Sequence, residues 1–305
     1  MAEIARQVLI AAKPKSGSGS SAQLVQALAD ELLRRGYSPQ VIRSLEQLQQ
    51  LTQKLWSEGT LRAVVSAGGD GTVGALANLL PNEVPILIFP MGTENLLAKH
   101  LGLGTEIGSA CDALERQETT LLDVGSANGK LFLVMLSCGF DAEVVRRMHT
   151  LRTGHISRWS YTRPIFSAIR RYRFPQLRFE CERSNDQANT TGSAAWLFIF
   201  NVPQYAANLQ FCSQADPTDG KLDVCTFQRS GLLQGVGYLA RLWFNAHQQL
   251  KDFNHQLTSE VFIPAPTTRS GQVLDVPFQI DGDPGGVLPL RVKTLKQRLR
   301  LIVPT

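Results

Sequence analysis

The chain has 305 residues, 43% hydrophobic and 19% charged, with a formal net charge of +5, the composition of an ordinary soluble globular protein long enough for two domains. No apolar run reaches the ~18 residues of a membrane span, and Val8–Ala12 is too short for a signal-peptide core, so a cytoplasmic protein is expected. Cys111, Cys138, Cys181, Cys212 and Cys225 include no CxxC pair, which argues against a disulfide framework or a zinc site, and the five histidines show no HExxH or other ligand cluster.

In chain order, Gln7–Ala12 is a short apolar strand, and leucines at helical spacing mark a helix from Ser20 to Arg35 that stops at Gly36. Gln40–Arg43 is a second strand, and Leu45, Leu48, Leu51 and Leu55 mark a second helix ending at Gly59. Then follow a strand at Leu61–Ser66, a helix at Thr72–Leu80, a strand at Val84–Phe89 and a helix at Glu94–Leu101. Repeated βα units predict a mainly parallel sheet covered by helices, a three-layer Rossmann-like α/β domain over residues 1–124. Beyond it the pattern turns β-rich over 125–292. Thr119–Ser126 and Lys130–Ser137 flank the hairpin signal Asn128-Gly129. Further strands are expected at Leu177–Cys181, Ala195–Asn201, Leu222–Phe227, Leu257–Ile263, Pro277–Asp281 and Leu288–Val292, with one long helix over Leu232–Leu250. A last strand, Leu299–Val303, is placed so that 293–305 can complete the first domain.

The sharpest motif is Ser66-Ala67-Gly68-Gly69-Asp70-Gly71-Thr72, between an apolar strand and a helix. Glycines let the backbone approach a ligand closely, and a helix start offers unpaired N–H groups and positive dipole to an anion. A carboxylate among phosphate-cradling glycines implies a cation between the two, hence magnesium. An isolated Gly-Asp-Gly reads more simply as a tight turn whose Asp caps the helix; the run GGDGT after a buried strand favours the ligand. The design recurs at Phe89-Pro90-Met91-Gly92-Thr93-Glu94-Asn95, with Thr93 placed to cap the next helix, and at Lys13–Gly19 after the first strand. Turns after neighbouring parallel strands face one crevice. There is no GxxxxGK[ST], and no GxGxxG opens a helix after the first strand, so the P-loop and dinucleotide-binding motifs are excluded.

This ordered set resembles the diacylglycerol kinase catalytic-domain family, which also includes sphingosine kinases and bacterial lipid kinases. The match continues through Leu122-Asp123-Val124-Gly125, Asp216–Leu222 and Gln279-Ile280-Asp281-Gly282-Asp283. The resemblance implies a lipid kinase with a C-terminal β-sandwich domain, using ATP and Mg2+. It places Ser16, Gly17, Ser44, Gly68, Gly69, Asp70, Gly71, Thr72, Thr93 and Asn95 around the nucleotide. Asp283 takes the position of the general base, with Asp281 beside it, and Asp70 and Asp123 belong to the acidic magnesium network. Asp216, Asp219 and the backbone of Lys221 match a structural metal site. The chain departs from the family at Asp283, where Glu is expected, at Lys13, where Asn is common, and at Leu96, where diacylglycerol kinases often have an acidic residue. Asp216–Leu222 and Asp281–Asp283 read equally well, taken alone, as ordinary Asp-Gly turns.

Eight arginines and no acidic residue lie between Arg146 and Arg173, among Trp159, Tyr161, Ile165 and Phe166; the rest of the chain carries 23 basic and 26 acidic residues. Such a segment suits peripheral contact with a membrane that holds the lipid substrate, and a solvated helical surface is the plainer alternative. No nucleic-acid motif accompanies it. A homodimer is compatible with the sequence. Two other readings stand beside the lipid kinase: an NAD-kinase-like enzyme on a soluble acceptor, and a nucleotide-binding regulatory protein without turnover.

Overall fold

The computed structural model describes residues 5–12, 19–150, 172, 174–182, 189–205 and 209–304. The chain divides into two compact units, Met1–Val124 with Lys296–Thr305, and Gly125–Leu295.

The first unit runs β1 (Gln7–Ala12), α1 (Gly19–Arg34), β2 (Ser38–Ile42), α2 (Leu45–Ser57), β3 (Leu61–Gly68), α3 (Asp70–Leu79), β4 (Ile86–Pro90), α4 (Leu96–His100), α5 (Ile107–Arg116) and the start of β5 (Thr119–Ala127). Its strands lie parallel in the order β2-β1-β3-β4, and Leu301 and Ile302 pair with Ile86 and Leu87 as a fifth parallel strand. Val8, Ile10, Val65 and Phe89 pack on Leu28 and Leu32 of α1 and on Cys111 and Leu114 of α5. The alternate residues Leu9, Val64, Ile86 and Ile88 are as deeply buried, as parallel strands covered on both faces require. The sequence reading placed no helix over α5, because small residues (Ala110, Cys111, Ala113) supply most of its buried face and blur the period.

The second unit continues with β6 (Lys130–Phe132), β7 (Met135–Cys138), α6 (Phe140–Thr150), β8 (Leu177–Cys181), β9 (Thr190–Ala194), β10 (Trp196–Phe200), β11 (Gln204–Tyr205), β12 (Leu209–Gln210), β13 (Leu222–Phe227) and α7 (Leu232–Trp243). It ends with β14 (Phe253–Thr258), β15 (Glu260–Ile263), β16 (Pro277–Ile280), β17 (Asp283–Val287) and β18 (Leu290–Ile302), the last of which runs on into the first unit. Six strands form an antiparallel sheet in the order β14-β13-β10-β7-β16-β17. Facing side chains of this sheet (Leu136, Ile199, Val224, Phe278) share one core with those of β8, β15 and β18 (Phe179, Val261, Leu290, Val292). This is the expected β-sandwich. Asn128 and Gly129 close the β5–β6 hairpin at φ 48° and 90°, the left-handed values of a two-residue hairpin turn.

Besides α5, helix α6 has no counterpart in the sequence reading, and four further segments differ from it. The hairpin's second strand stops at Phe132, and β7 joins the other sheet. The break is held by Asp281, itself at φ 48°, whose Oδ2 accepts from Leu133 N at 2.8 Å and whose Oδ1 accepts from Val134 N at 2.9 Å and Met135 N at 3.0 Å. The expected strand over 257–263 is two strands in different sheets, parted at Ser259 after buried Thr258, whose hydroxyl lies 2.8 Å from the Glu182 carbonyl. The expected helix over 232–250 ends at Trp243; Asn245 at φ 52° breaks it before a 3-10 turn at His247–Gln249. Conversely, the two strands expected at 288–292 and 299–303 are one strand of 13 residues. Among the described residues no helix is long and apolar enough to cross a membrane.

Because one carboxylate satisfies three N–H groups at the crossing, Asp281→Ala is expected to cost about 3 kcal/mol or more, at roughly 1.5–3 kcal/mol per charged hydrogen bond less solvent compensation. The milder change Asp281→Asn, which keeps one acceptor oxygen, should lie between. Urea unfolding of the two variants and the parent measures this.

Candidate functional site

In the first unit the turns after β3 and β4 are built as one object. Gly69 is the N-cap of α3 and Gly92 lies in the turn after β4. Their backbones touch: a Cβ on Gly92 would stand 2.5 Å from the Gly69 Cα and 2.6 Å from Asn95 Oδ1. Only hydrogen fits there. Met91 N donates to Gly68 O at 2.9 Å. Asn95, in the left-handed region at φ 51°, accepts from Gly92 N and donates to Gly92 O, both at 2.9 Å.

Asp70 is the tie between the turns. It opens α3, but it caps a different helix, α4, accepting from Leu96 N on Oδ2 at 2.9 Å and from Leu97 N on Oδ1 at 3.0 Å. A carboxylate at a helix start satisfies orphan donors and complements the dipole. Thr93 does not cap this helix, as the sequence reading had it. The helix starts three residues later, and Thr93 is an exposed turn residue. The start of α3 itself has no side-chain cap; Thr72 N already donates to Gly69 O at 2.8 Å, which leaves the Asp70 and Gly71 N–H groups to an anion.

Thr72 lies against Gly68, where a Cβ would come within 2.2 Å of its Oγ1. The residue is 4% exposed, yet its hydroxyl finds no hydrogen-bond partner, and neither does that of Ser66. Thr72 and Ser44 line a cavity of about 120 Å³ with Ala12, Ile42, Leu48 and Ala75. Ser44 caps α2, accepting from Gln47 N at 3.3 Å. The geometry thus joins Ser44, Gly68, Gly69, Asp70, Thr72 and Asn95 in one region of the first unit; Gly71 is in the first turn of α3. Ser16 and Gly17 lie outside the described residues. Magnesium bound with a nucleotide needs only one or two carboxylates beside phosphates and waters. Asp70 fits such a role, since each of its oxygens has a second lone pair beyond the one facing an amide. Asp123, 2% exposed, accepts on Oδ1 from Gln297 N at 2.7 Å and so fastens β18 where it enters the first unit.

In the second unit, Asp283 is exposed at the start of β17, next to the Asp281 clamp, and Gly282 N donates to Gln279 Oε1 at 2.8 Å. Gln279 continues inward: its Nε2 donates to Ser137 Oγ at 3.0 Å, and Ser137 donates to Asp141 Oδ2 at 2.5 Å. Tyr205 donates to Asp141 Oδ1 at 2.8 Å, and burial beside that carboxylate pushes its phenol well above the usual range. Asp141 and Tyr205 form the polar wall of a cavity of about 270 Å³ that is otherwise lined by Phe140, Val144, Trp196, Phe198, Phe211, Phe227 and the inner side of α7. The sequence reading did not select Asp141, Tyr205 or Gln279. Nothing in their spacing marks them, because they meet only when α6, β11 and β16 are assembled.

Asp216 and Asp219 each close an Asx turn. Asp216 Oδ1 accepts from Thr218 N at 2.9 Å, and Asp219 Oδ1 from Lys221 N at 2.8 Å. Burial raises the Asp219 carboxyl against the help of the Lys221 N–H, and Asp223 and Asp216 raise it further. Of the arginine-rich segment, residues 151–171 and 173 lie outside the described residues. Arg146 and Arg147 are engaged within the unit, both pairing with Glu143, which is 3% exposed.

The family model for the diacylglycerol kinase catalytic domain matches residues 7–127, and that for the YegS C-terminal NAD kinase beta sandwich-like domain matches residues 134–303. The chain belongs to the diacylglycerol kinase catalytic-domain family. A family relative from Mycobacterium tuberculosis named diacylglycerol kinase is 25% identical over 300 residues, covering 95% of this chain and 93% of that one. The uncharacterized protein sll0036 of Synechocystis is 29% identical over 243 residues, covering 79% of this chain but only 54% of its own length. This chain therefore spans about half of that relative. Among solved structures, a candidate diacylglycerol kinase of Bacillus anthracis superposes with a TM-score of 0.72 at 19% identity, covering 98% of this chain and 95% of that one. Yeast NADH kinase superposes with a TM-score of 0.54 at 11% identity, covering 98% and 84%. At these identities the superpositions show a shared fold.

If the touching glycines hold the two turns together, Gly92→Ala should cost about 1–3 kcal/mol, the usual range for forcing atoms into a packed site. It should also weaken nucleotide binding. Gly74→Ala, in open space on α3, is the control that should change neither. Thermal unfolding with and without ATP measures both effects.

Proposed function

We propose that the chain is an ATP- and Mg2+-dependent lipid kinase that phosphorylates a hydroxyl of a lipid alcohol such as diacylglycerol or a sphingoid base. The observation that carries the lipid part is the second unit's cavity: apolar on nearly all sides, with one polar wall at Asp141 and Tyr205. An amphiphile with a hydroxylated head and hydrocarbon tails has that division of surface, whereas a nicotinamide nucleotide is polar throughout.

The nucleotide phosphates lie at the start of α3, where uncapped N–H groups, the Thr72 hydroxyl and the close approach allowed by Gly68 and Gly69 favour an anion. Thr93 and Asn95 complete the surroundings of the nucleotide. Asp70, with Asp123 in the same acidic network, would hold a magnesium ion that arrives with the nucleotide, and that ion would supply neutralisation of the charge moving to the leaving oxygen. The lipid hydroxyl oxygen forms a bond to the γ-phosphorus as the bond to the β,γ-bridging oxygen breaks. Asp283 accepts the hydroxyl proton, and ADP leaves. Asp281 sets the backbone beside Asp283 through its three amide bonds. Asp216 and Asp219, with the backbone of Lys221, would hold a second, structural cation.

Membrane access goes through α7. Its outer face exposes Leu233 at 85%, Trp243 at 68% and, just beyond its end, Phe244 at 78%, while Leu232, Val236 and Leu239 also line the cavity. Residues 228–251 contain Arg229, Arg241 and Lys251 and no acidic residue. An anionic bilayer suits both the apolar face and the charge.

Labelled phosphate should pass from ATP to one lipid in a panel presented in mixed micelles, and Asp283→Ala should lower that rate about 10²–10⁴-fold, the usual contribution of a general base. Transfer to NAD and to no lipid would replace this reading with the NAD-kinase-like one. ATP binding without transfer would favour the regulatory one. Trp243→Ser with Phe244→Ser should remove most sedimentation with anionic vesicles while leaving turnover of a short-chain, micelle-free lipid unchanged. Full vesicle binding by that double variant would take the docking role from α7.

A further inference from the structure

The second unit holds a group of side chains that the kinase chemistry does not use. Cys212, Cys225 and His255 bring their ligand atoms within 4.8 Å of one another. Cys212 Sγ stands 3.5 Å from His255 Nε2 and 3.1 Å from Asp223 Oδ1, and that oxygen is 2.6 Å from Nε2. The sheet explains the convergence. Cys225 on β13 and His255 on β14 are directly paired residues, so their side chains leave the same face. Asp223, two residues before Cys225, joins that face, and Cys212 reaches it from the segment after β12.

We infer that Cys212, Cys225 and His255 form the core of a tetrahedral site for a thiophilic divalent ion, zinc by the chemistry of its donors, and that the neighbouring Asp223 carboxylate turns in as the fourth ligand. Tetrahedral zinc, about 2.3 Å from sulfur and about 2.0–2.2 Å from nitrogen or oxygen, sets its ligand atoms roughly 3.3–3.8 Å apart. The Cys212 Sγ–Nε2 and Cys212 Sγ–Oδ1 distances sit at or near that spacing; the Nε2–Oδ1 pair must open by about half an ångström or somewhat more, and the Asp223 carboxylate, outside the group of three, must turn in to complete the set. Two thiols, an imidazole and a carboxylate are the set that favours zinc over magnesium or calcium. Cys212 is 3%, Cys225 0% and Asp223 2% exposed, so no position is left open for a substrate, which marks a structural site. Burying a carboxylate beside two thiols is costly unless the charge is matched, and a dication supplies that match. On binding, the thiol protons and any proton on Nε2 pass to solvent, and the ion joins the 211–221 segment to β13 and β14. The sequence reading found no zinc site because these cysteines are thirteen positions apart and His255 is thirty further on; the site is made by strand pairing.

The test uses the full chain, purified under reducing conditions without chelator. Elemental analysis should find one zinc per chain, and cobalt exchanged into the protein should give the thiolate charge-transfer band and the intense visible bands of a tetrahedral site. Cys212→Ser and His255→Gln should weaken zinc at least about 10-fold, the low end for disturbing a site's ligand environment. They should also abolish the rise in Tm that zinc gives the parent. His255 is only partly buried, so its variant keeps the test open if the cysteine variant fails to fold. A folded parent that retains no zinc and gives no cobalt–thiolate band overturns the site. So does a band unchanged in His255→Gln, or a Cys212–Cys225 disulfide in the reduced preparation. None of these readouts depends on the phosphoryl-transfer activity.

Discussion

Leu96 and Leu97 begin a helix of only five residues, too short to persist by its own hydrogen bonds, and their N–H groups are taken by a carboxylate twenty-six positions earlier. That carboxylate, Asp70, sits on the first turn of α3, so the two helices and the turns that feed them are fixed by one side chain. The contact of Gly69 with Gly92 makes the reach short enough, since a methyl group at either position would push the turns apart. Other features of the first unit's site follow from this. Asn95 can hold its left-handed backbone because Gly92 is in bonding range, and Thr72 lies under Gly68 with its hydroxyl unpartnered. A carboxylate engaged in this way is also pre-oriented toward any cation that arrives with phosphate, because its rotamer is already chosen.

Among the described residues, three aspartates use the same device. Asp70, Asp123 and Asp281 each take backbone N–H groups from a segment far away in sequence, at 96–97, 297 and 133–135. In each case the acceptor ties an otherwise irregular piece of backbone, and a charge-assisted bond is stronger than its neutral counterpart. Motif aspartates therefore need not be chemical groups alone. Asp283 contrasts with them in being exposed at the start of its strand, the placement that its proposed role requires.

Much of this was legible in the residues. Strands buried on both faces announced themselves as apolar runs, as at Leu61–Ser66 and Trp196–Phe200, and the glycine turns stood out because their φ and spacing needs admit few residues. The site's internal logic was not legible. Asp70 read naturally as a cap for its own helix or as a metal ligand; that it caps α4 depends on the tertiary placement of two turns. Helix α5 was hidden by the small residues on its inner face, and the break at Ser259 goes with a tertiary bond from the Thr258 hydroxyl to the Glu182 carbonyl that no local pattern shows. Asp141, Tyr205 and Gln279, and the Cys212–Cys225–His255 group, are long-range constellations with no local spacing to betray them.

Strand β18 carries its own consequence. Its first residues pair with β15, and its last two lie beside β4 in the parallel sheet of the first unit. During synthesis the first four strands leave the ribosome well before that neighbour exists. Throughout the time needed to make the second unit, β4, whose five residues are all buried in the finished protein, is an open apolar edge. Such edges recruit other chains. Translation speed across the stretch that encodes the second unit, and any chaperone that shields a nascent strand edge, therefore bear on the yield of the N-terminal unit as much as on that of the sandwich.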